Sequence, residues 1–125
     1  MNDQELTGLI IKCAIEVHKE LGPGLLESAY KESLHFLLIK YRLRVEKEKP
    51  FPLIFQQIKL DCGYRVDLLV EEKITLEIKA VDCLSPVHLA QVLTYLKLSK
   101  LRVGYLINFN VCRLTDGLKR VVNGY

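Results

Sequence analysis

Two neighbouring segments of the chain, residues 66–70 and 74–80, alternate apolar and polar side chains in the same phase. Every even-numbered position in them is apolar. The odd-numbered positions carry, apart from Leu69, the polar residues Asp67, Thr75, Glu77 and Lys79. Because successive side chains of a strand point to opposite faces, this pattern predicts a β-hairpin with one apolar face. The other face would bear two carboxylates and an amine.

The length of the turn decides whether the two carboxylates meet. With an odd number of turn residues, Val70 pairs with Ile74 and Asp67 stands directly opposite Glu77. A two-residue turn would separate the acids and mix apolar with charged side chains on each face, so the hydrophobic pattern favours the odd turn. Opposed side chains have Cβ atoms about 5 Å apart, close enough for two carboxylates to share one divalent cation.

The other elements are predicted from apolar periodicity and from stop signals such as Gly22-Pro23-Gly24. Predicted helices cover residues 3–21 with Asp3 as N-cap, residues 25–42, and a segment from Pro86, capped by Ser85, to Ser99 or Lys100. Predicted strands cover residues 51–60, the hairpin and residues 101–108, and the tail is a loop ending in a short strand at 121–122. This order predicts an α/β fold in which helices flank a small mixed β-sheet.

Length and composition predict one domain spanning residues 1–125. The net charge of +3 permits a nucleic-acid partner without requiring one. The four cysteines are widely separated and lack metal-site spacing, so we interpret them as reduced thiols. No secretory signal and no apolar stretch long enough to span a bilayer is visible, which predicts a cytoplasmic protein without a membrane partner.

Two further groups of residues have both a structural and a functional interpretation. His88, Gln91 and Tyr95 share one face of the third helix, which is either a solvated face or a set of groups that bind phosphate and steady a lysine. Glu27 lies in the first turn of the second helix, where a negative charge favours the helix dipole and needs no further function. The acids and the lysine of the hairpin could likewise form an ordinary solvated surface. His18 is interpreted as a partly buried packing residue, with contact to the site as the alternative.

Taken together, these residues resemble a known family pattern. Gly24-x-x-Glu27-x-x-Tyr30 is the motif that names the GxxExxY family. Its other landmarks are matched by His18, Gly22-Pro23-Gly24, Tyr64-Arg65-x-Asp67, Glu77-x-Lys79, Pro86-Val87-His88, Gln91 and Leu106-Ile107-Asn108-Phe109. The resemblance spans about residues 5–122, and the family is similar in turn to the PD-(D/E)xK nuclease superfamily. It implies a restriction-endonuclease-like core of helix, three strands, helix and strand, preceded here by an extra N-terminal helix.

The resemblance also implies roles for individual residues. Asp67, Glu77 and the carbonyl of Ile78 would hold Mg²⁺ or Mn²⁺, and Lys79 would be the catalytic lysine. Glu27 would be an additional catalytic acid. Accessory or substrate-binding roles would fall to Tyr30, His88, Gln91 and Tyr95. Val66 stands where the superfamily name has a proline.

The first functional hypothesis is therefore a metal-dependent nuclease that hydrolyses phosphodiester bonds in nucleic acid, with DNA as the favoured substrate. The alternative is a catalytically inactive, nuclease-like binding or assembly module, acting as a homodimer or with a protein partner. Two basic runs, at residues 40–49 and 97–102, either grip phosphates or are solvated faces.

Overall fold

A five-stranded mixed sheet forms the centre of the fold in the computed structural model, which describes residues 1–124. In chain order the elements are α1 (Asp3–Leu21), α2 (Glu27–Lys40), β1 (Val45–Pro50), β2 (Leu53–Phe55), β3 (Ile58–Leu60), β4 (Arg65–Val70), β5 (Ile74–Lys79), α3 (Pro86–Ser99), β6 (Val103–Asn108), a short 3₁₀ helix (Leu114–Gly117) and β7 (Leu118–Val122). The five strands of the main sheet lie in the order β1-β4-β5-β6-β7, and β2 and β3 form a separate two-stranded sheet.

The strand that carries Glu77, β5, is the middle strand of the main sheet. It pairs in parallel with β6, whereas the other neighbours in this sheet are antiparallel. Helices α1 and α2 share one buried cluster with Leu68 and Leu76. Helix α3 packs Val92 and Leu96 against Leu106 in a separate cluster. The protein thus has the predicted α/β fold, consistent with a restriction-endonuclease-like core.

The prediction of one strand over residues 51–60 is wrong. The first strand of the main sheet is β1, which pairs with β4, and residues 53–60 form the β2–β3 hairpin instead. β1 is hard to recognise because it lies at the sheet edge, where its alternating Lys and Glu, exposed or half-buried, discourage further pairing. Its last residue, Pro50, has no amide hydrogen to donate. Proline is tolerated in an edge strand because not every residue there has to donate a hydrogen bond to a neighbouring strand.

Several predicted boundaries also shift. Asn2, rather than Asp3, caps α1: its side chain accepts from the Glu5 amide at 2.8 Å, and the Glu5 carboxylate accepts from the Asn2 amide at 3.2 Å. α2 covers 27–40 instead of 25–42. The tail contributes a full edge strand, β7, because its residues 118–122 find open partners along β6.

Within residues 1–124, none of the helices is both long enough and apolar enough to cross a membrane. All four cysteines are free thiols, and only Cys13 is buried.

Gly117 provides a test of how tightly the end of β6 is packed. A Cβ at this position would collide with the backbone carbonyl oxygen of Asn108, which cannot rotate away. We expect Gly117→Ala to lower the free energy of unfolding by about 2–3 kcal/mol, as overpacking does. Gly8 lies inside α1 with open space around its Cβ position. Gly8→Ala should therefore raise stability by about 0.5–1 kcal/mol. Chemical denaturation of both variants measures this, and equal effects would contradict the predicted collision.

Candidate active site

The β4–β5 hairpin has the odd turn that the sequence predicts. Val70 pairs with Ile74 across a turn of three residues, 71–73, and the pairing continues to Leu68 and Leu76. One residue further, the Asp67 carboxylate accepts a hydrogen bond from the Ile78 amide at 2.8 Å through its Oδ2. The Ile78 amide of β5 therefore has a side-chain oxygen of β4 as its partner, where a ladder would supply a backbone carbonyl. This bond holds the carboxylate over β5, beside Glu77.

Glu77 is a buried acid with an unsatisfied oxygen. Its residue is 6% exposed, and no group among residues 1–124 hydrogen-bonds its Oε2. Burial raises the pKa of Glu77 from 4.5 to about 8, the negative charge of Asp67 adds to this increase, and the Lys79 ammonium partly offsets it. Lys79 Nζ lies 3.7 Å from Glu77 Oε1, and its side chain is only 16% exposed. Burying the ionised form of this acid costs electrostatic free energy, and a bound cation would offset that cost.

The two acids fit a divalent cation of the Mg²⁺ type. Such an ion prefers oxygen ligands and is commonly held by one or two carboxylates while it keeps several waters. The unpartnered oxygen of Glu77 and the fixed carboxylate of Asp67 supply that donor set. Within the described part of the chain, no three His, Cys, Asp or Glu side chains converge closely enough to form a metal cluster. The remaining ligands would have to be water or backbone oxygens, for which the Ile78 carbonyl remains the predicted candidate.

Glu27 is delivered to this end of the fold by a constrained loop. Gly22 and Gly24 adopt φ values of 68° and 100°, the left-handed region that glycine tolerates. Glu27 then opens α2 with an exposed side chain. Its charge contributes to the raised pKa of Glu77, behind burial and Asp67. Glu27 is therefore an outer charge of the site, and its predicted role as an additional acid remains a prediction.

Tyr30 fixes this loop and is inaccessible to a substrate. Its residue is fully buried, and its ring stacks on Phe109 with 4.6 Å between centroids. The hydroxyl donates to the Gly22 carbonyl at 2.6 Å and accepts from the Leu25 amide at 3.1 Å. Both hydrogen bonds of the Tyr30 hydroxyl are made to the loop that precedes Glu27. This arrangement fits the accessory role that was predicted for Tyr30 better than direct contact with a substrate, and the role remains a prediction.

The three predicted residues of α3 have different surroundings. Tyr95 is buried, and burial followed by the charge of Glu77 raises the pKa of Tyr95 to about 12. Gln91 Nε2 donates to the Tyr95 hydroxyl at 3.1 Å. Because the hydroxyl accepts from Gln91, its own proton is available to the acids or to a substrate. His88 instead serves the start of the helix, where its Nδ1 accepts from the Ser85 amide at 3.0 Å.

His18 and Asn108 each hydrogen-bond the backbone of another segment of the chain. His18 Nε2 is hydrogen-bonded to the Val111 carbonyl at 2.7 Å, which confirms its interpretation as a packing residue. Asn108 is buried at the end of β6, accepts from the Val81 amide at 3.0 Å and donates to the Val81 carbonyl at 2.9 Å. Asn108 thereby holds the chain that leaves β5 directly after Lys79.

Sequence reasoning missed a basic residue at the site, Lys31. It lies one helical turn after Glu27, its side chain is 17% exposed, and its Nζ contacts Glu48 Oε1 at 3.2 Å. Burial acts to lower the pKa of Lys31, but the hydrogen bond to Glu48 and the charge of Asp67 outweigh it and raise the pKa. The sequence carries no local signal for this contact, because Glu48 lies 17 residues further along the chain in another element.

Glu48 has an unusual backbone for a strand residue. Its φ is +54°, and it lies in β1 between Lys47, which pairs with Leu68, and Lys49, which pairs with Val66. This register puts Glu48 beside Asp67, on the side away from Glu77. A non-glycine residue in the left-handed region costs about 1–2 kcal/mol, and such strain is concentrated at functional sites.

Comparison with known proteins agrees with this geometry. The family model of the PD-(D/E)XK nuclease superfamily matches residues 4–121. Searches of curated proteins and of solved structures each gave no significant match. The match covers nearly the whole chain, including the acidic hairpin, α2 and α3. The chain therefore belongs to the PD-(D/E)XK nuclease superfamily.

Proposed function

We propose that this protein is a metal-dependent nuclease that hydrolyses phosphodiester bonds in nucleic acid, with DNA as its preferred substrate. One observation carries the proposal: the buried Glu77 lies beside the half-buried Asp67, its Oε2 has no partner, and Lys79 Nζ lies 3.7 Å from its Oε1. Membership of a nuclease superfamily supports the same chemistry.

Each residue of the site has a defined chemical task in this proposal. Asp67 and Glu77 would hold Mg²⁺ or Mn²⁺, and the Ile78 amide fixes the Asp67 carboxylate so that its other oxygen can face the ion. The bound ion would polarise the scissile phosphate and lower the pKa of a coordinated water. Lys79 would orient the attacking water and neutralise charge that builds on the phosphate oxygens.

Tyr95 and Gln91 would contribute a neutral hydrogen-bond donor. With its pKa raised to about 12 by burial and then by Glu77, the Tyr95 hydroxyl keeps its proton at physiological pH. The amide of Gln91 occupies one lone pair of that hydroxyl. The hydroxyl proton can therefore be directed to an oxygen of the substrate. A neutral donor here avoids adding a third negative charge to the acidic pair.

A second candidate function, an inactive binding or assembly module, is favoured by one specific observation. Burial, followed by the charge of Asp67, raises the pKa of Glu77 to about 8, so the metal-free acidic pair holds a proton at neutral pH and does not require a cation. A module of this kind would bind nucleic acid or a protein partner, including a second copy, without cleaving it. Cleavage by the metal-loaded protein distinguishes the two candidates, because an inactive module can retain the acids for stability or for metal without cutting a strand.

The test combines cleavage with metal binding. Duplex, nicked, branched and single-stranded DNA and an RNA should be incubated with Mg²⁺, Mn²⁺ or a chelator, and we expect cleavage only with metal. Asp67→Asn should weaken Mn²⁺ binding, measured by titration, by at least about tenfold, since even changes to groups behind the ligands cost 10- to 100-fold. Asp61 is exposed in the loop before β4, so Asp61→Asn is the matched control and should behave as wild type.

Two outcomes would contradict the proposal. Metal-loaded wild-type protein that cleaves no member of the substrate panel would favour the binding module. Equal cleavage by wild type and Asp67→Asn would show that the activity comes from another site or from a contaminant. Anomalous scattering from Mn²⁺ in crystals would locate the ion independently of activity.

A further inference from the structure

The β2–β3 hairpin, residues 53–60, presents an apolar face to solvent next to the candidate site. Its pairing of Leu53 with Leu60 and of Phe55 with Ile58 sets these four side chains on one face. Phe55 is 59% exposed, Ile58 60% and Leu60 37%. Lys59 pairs with Ile54 and lies on the opposite face. A two-stranded hairpin is only marginally stable in water, so covering this face would stabilise it.

The base of the hairpin is anchored close to the acidic pair. The Phe51 amide donates to the Tyr64 carbonyl at 3.0 Å, and this bond joins the two ends of the segment that contains the hairpin. The Tyr64 ring meets Tyr95 edge-on with 6.0 Å between centroids. β4 begins at Arg65, and Asp67 follows two residues later. A strand of nucleic acid with a phosphate at Asp67 and Glu77 would therefore run beside this hairpin.

The charges around the hairpin suit a polyanion. Between residues 49 and 65 the chain has three basic residues, Lys49, Lys59 and Arg65, and one acid, Asp61. The tip, Gln56-Gln57, carries amides that can hydrogen-bond base edges. Both tip residues adopt left-handed φ values, 49° and 68°, in a turn where Asn-Gly would be less strained. The chain thus has two long amide side chains at the end of a narrow ribbon.

The apolar face is too small to support a stable dimer by itself. The exposed parts of Phe55, Ile58 and Leu60 amount to on the order of 300 Å², whereas a stable interface buries about 800 Å² per partner. Apolar side chains of this kind do insert between base steps in nucleic-acid complexes. An aromatic side chain also stacks on an unpaired base without sequence preference. The size of the patch therefore fits a few bases better than a second copy of the chain.

We propose that the β2–β3 hairpin is a wedge that places Phe55 and Ile58 against unpaired or easily unstacked bases beside the scissile phosphate. The substrate class is nucleic acid with exposed bases next to the cut, as at ends, nicks, junctions or single strands. This inference rests on the proposed function, because the acidic pair defines where the cut lies. The hairpin contributes binding and selection of substrate form, and the acidic pair contributes the chemistry.

Tryptophan scanning tests the wedge directly, because the natural chain contains no tryptophan. Phe55→Trp and Phe36→Trp each introduce one fluorescent reporter, and Phe36 is the matched control because it is an exposed aromatic (69%) on α2. Both are made in a Lys79→Met background so that cleavage does not consume the DNA. Titration with nicked or single-stranded DNA should quench the fluorescence of Phe55→Trp saturably and leave that of Phe36→Trp nearly unchanged. Fully paired, blunt-capped duplex should quench Phe55→Trp less.

Affinity gives a second measurement that does not depend on fluorescence. Phe55→Ser should weaken binding of nicked or single-stranded DNA about tenfold, the size of one lost base stack. Phe36→Ser should bind as wild type, and Mn²⁺ affinity should be the same in both. If the hairpin unravels in Phe55→Ser, Phe55→Trp still reports stacking in an intact hairpin.

The outcomes separate this inference from the proposed function. Wild-type cleavage together with unchanged binding by Phe55→Ser would overturn the wedge and leave the nuclease proposal standing. Base-dependent quenching without cleavage would support the wedge and contradict the nuclease. A protein that sediments as a dimer and becomes monomeric in Phe55→Ser, with DNA affinity unchanged, would assign the hairpin to a second copy instead.

Discussion

Replacing Lys79 with methionine should reduce metal-dependent cleavage by about 10²–10³-fold, the usual effect of removing one donor that stabilises developing charge. Mn²⁺ affinity should be kept or increase. The lysine nitrogen donates protons and does not ligate a metal, and its removal takes a cation away from a position 3.7 Å from Glu77 Oε1. A loss of cleavage with intact metal binding would identify Lys79 as a residue of the reaction and not of metal retention.

The matched control for Lys79 lies at the other end of the same hairpin. Lys73 is in the turn and forms an exposed ion pair with Asp3 at 3.3 Å. Such pairs contribute about 0–1 kcal/mol to stability, so Lys73→Met should cleave at the wild-type rate. Single-turnover cleavage and Mn²⁺ titration, both in alkaline buffer, measure the two properties separately. Cleavage by Lys79→Met within a factor of two of wild type would remove Lys79 from the mechanism.

Glu77→Gln should stabilise the metal-free protein while it abolishes cleavage. Burial, followed by the charge of Asp67, raises the pKa of Glu77 to about 8 in the folded protein, from 4.5 in the unfolded chain. The folded state therefore holds a proton that the unfolded chain releases as the pH rises above 4.5. Native stability consequently falls with rising pH between these two values and levels off above the higher one. Glutamine removes this loss, because its side chain does not ionise.

The size and pH range of the effect can be measured. At about 1.4 kcal/mol per pKa unit, Glu77→Gln should gain at most about 5 kcal/mol over wild type in mildly alkaline buffer. The gain should shrink toward zero as the pH approaches 4.5. Glu20 is exposed on α1, so Glu20→Gln is the control and should follow the wild-type curve. Chemical denaturation across this pH range gives the comparison, and a flat difference between Glu77→Gln and wild type would contradict the raised pKa.

Metal should stabilise wild type and leave Glu77→Gln unchanged. Excess Mn²⁺ stabilises whichever folded protein binds it, in proportion to the logarithm of metal concentration over Kd. Wild type should therefore gain thermal stability with Mn²⁺ in alkaline buffer, and Glu77→Gln should not. A buried acid that weakens the free protein and strengthens the metal-bound one is expected of a binding site, whereas a purely structural acid gives only the first effect.

The acidic pair could be predicted from the sequence because strand geometry is local. Alternation with a period of two and a turn of odd length were enough to oppose Asp67 and Glu77, whatever the rest of the chain does. The pairing of Val70 with Ile74 confirms the odd turn, and the paired register extends to Leu68 and Leu76, the pair next to the two acids. The helix signals of α3, Ser85 and Pro86, are equally local and located its start correctly.

The elements that were missed depend on contacts between distant parts of the chain. β1 contains alternating Lys and Glu with little apolar content, and it becomes a strand because β4 offers it an open edge. Residues 51–60 are predicted as one continuous strand, because Gln56-Gln57 lacks the usual residues of a tight turn. The contact of Lys31 with Glu48 joins α2 to β1, and neither residue shows it through its sequence neighbours.

The sequence by itself determined which side chains of the hairpin share a face and that two acids stand opposite each other, because backbone periodicity imposes this within a few residues. Only the tertiary structure decided that Glu77 is buried with an unpartnered oxygen. It also decided that the Tyr30 hydroxyl hydrogen-bonds a loop and that Lys31 lies at the site. Burial and charge depend on what α2, α3 and β1 place over the sheet, and the free energy of an ionisable group depends on all of its neighbours at once.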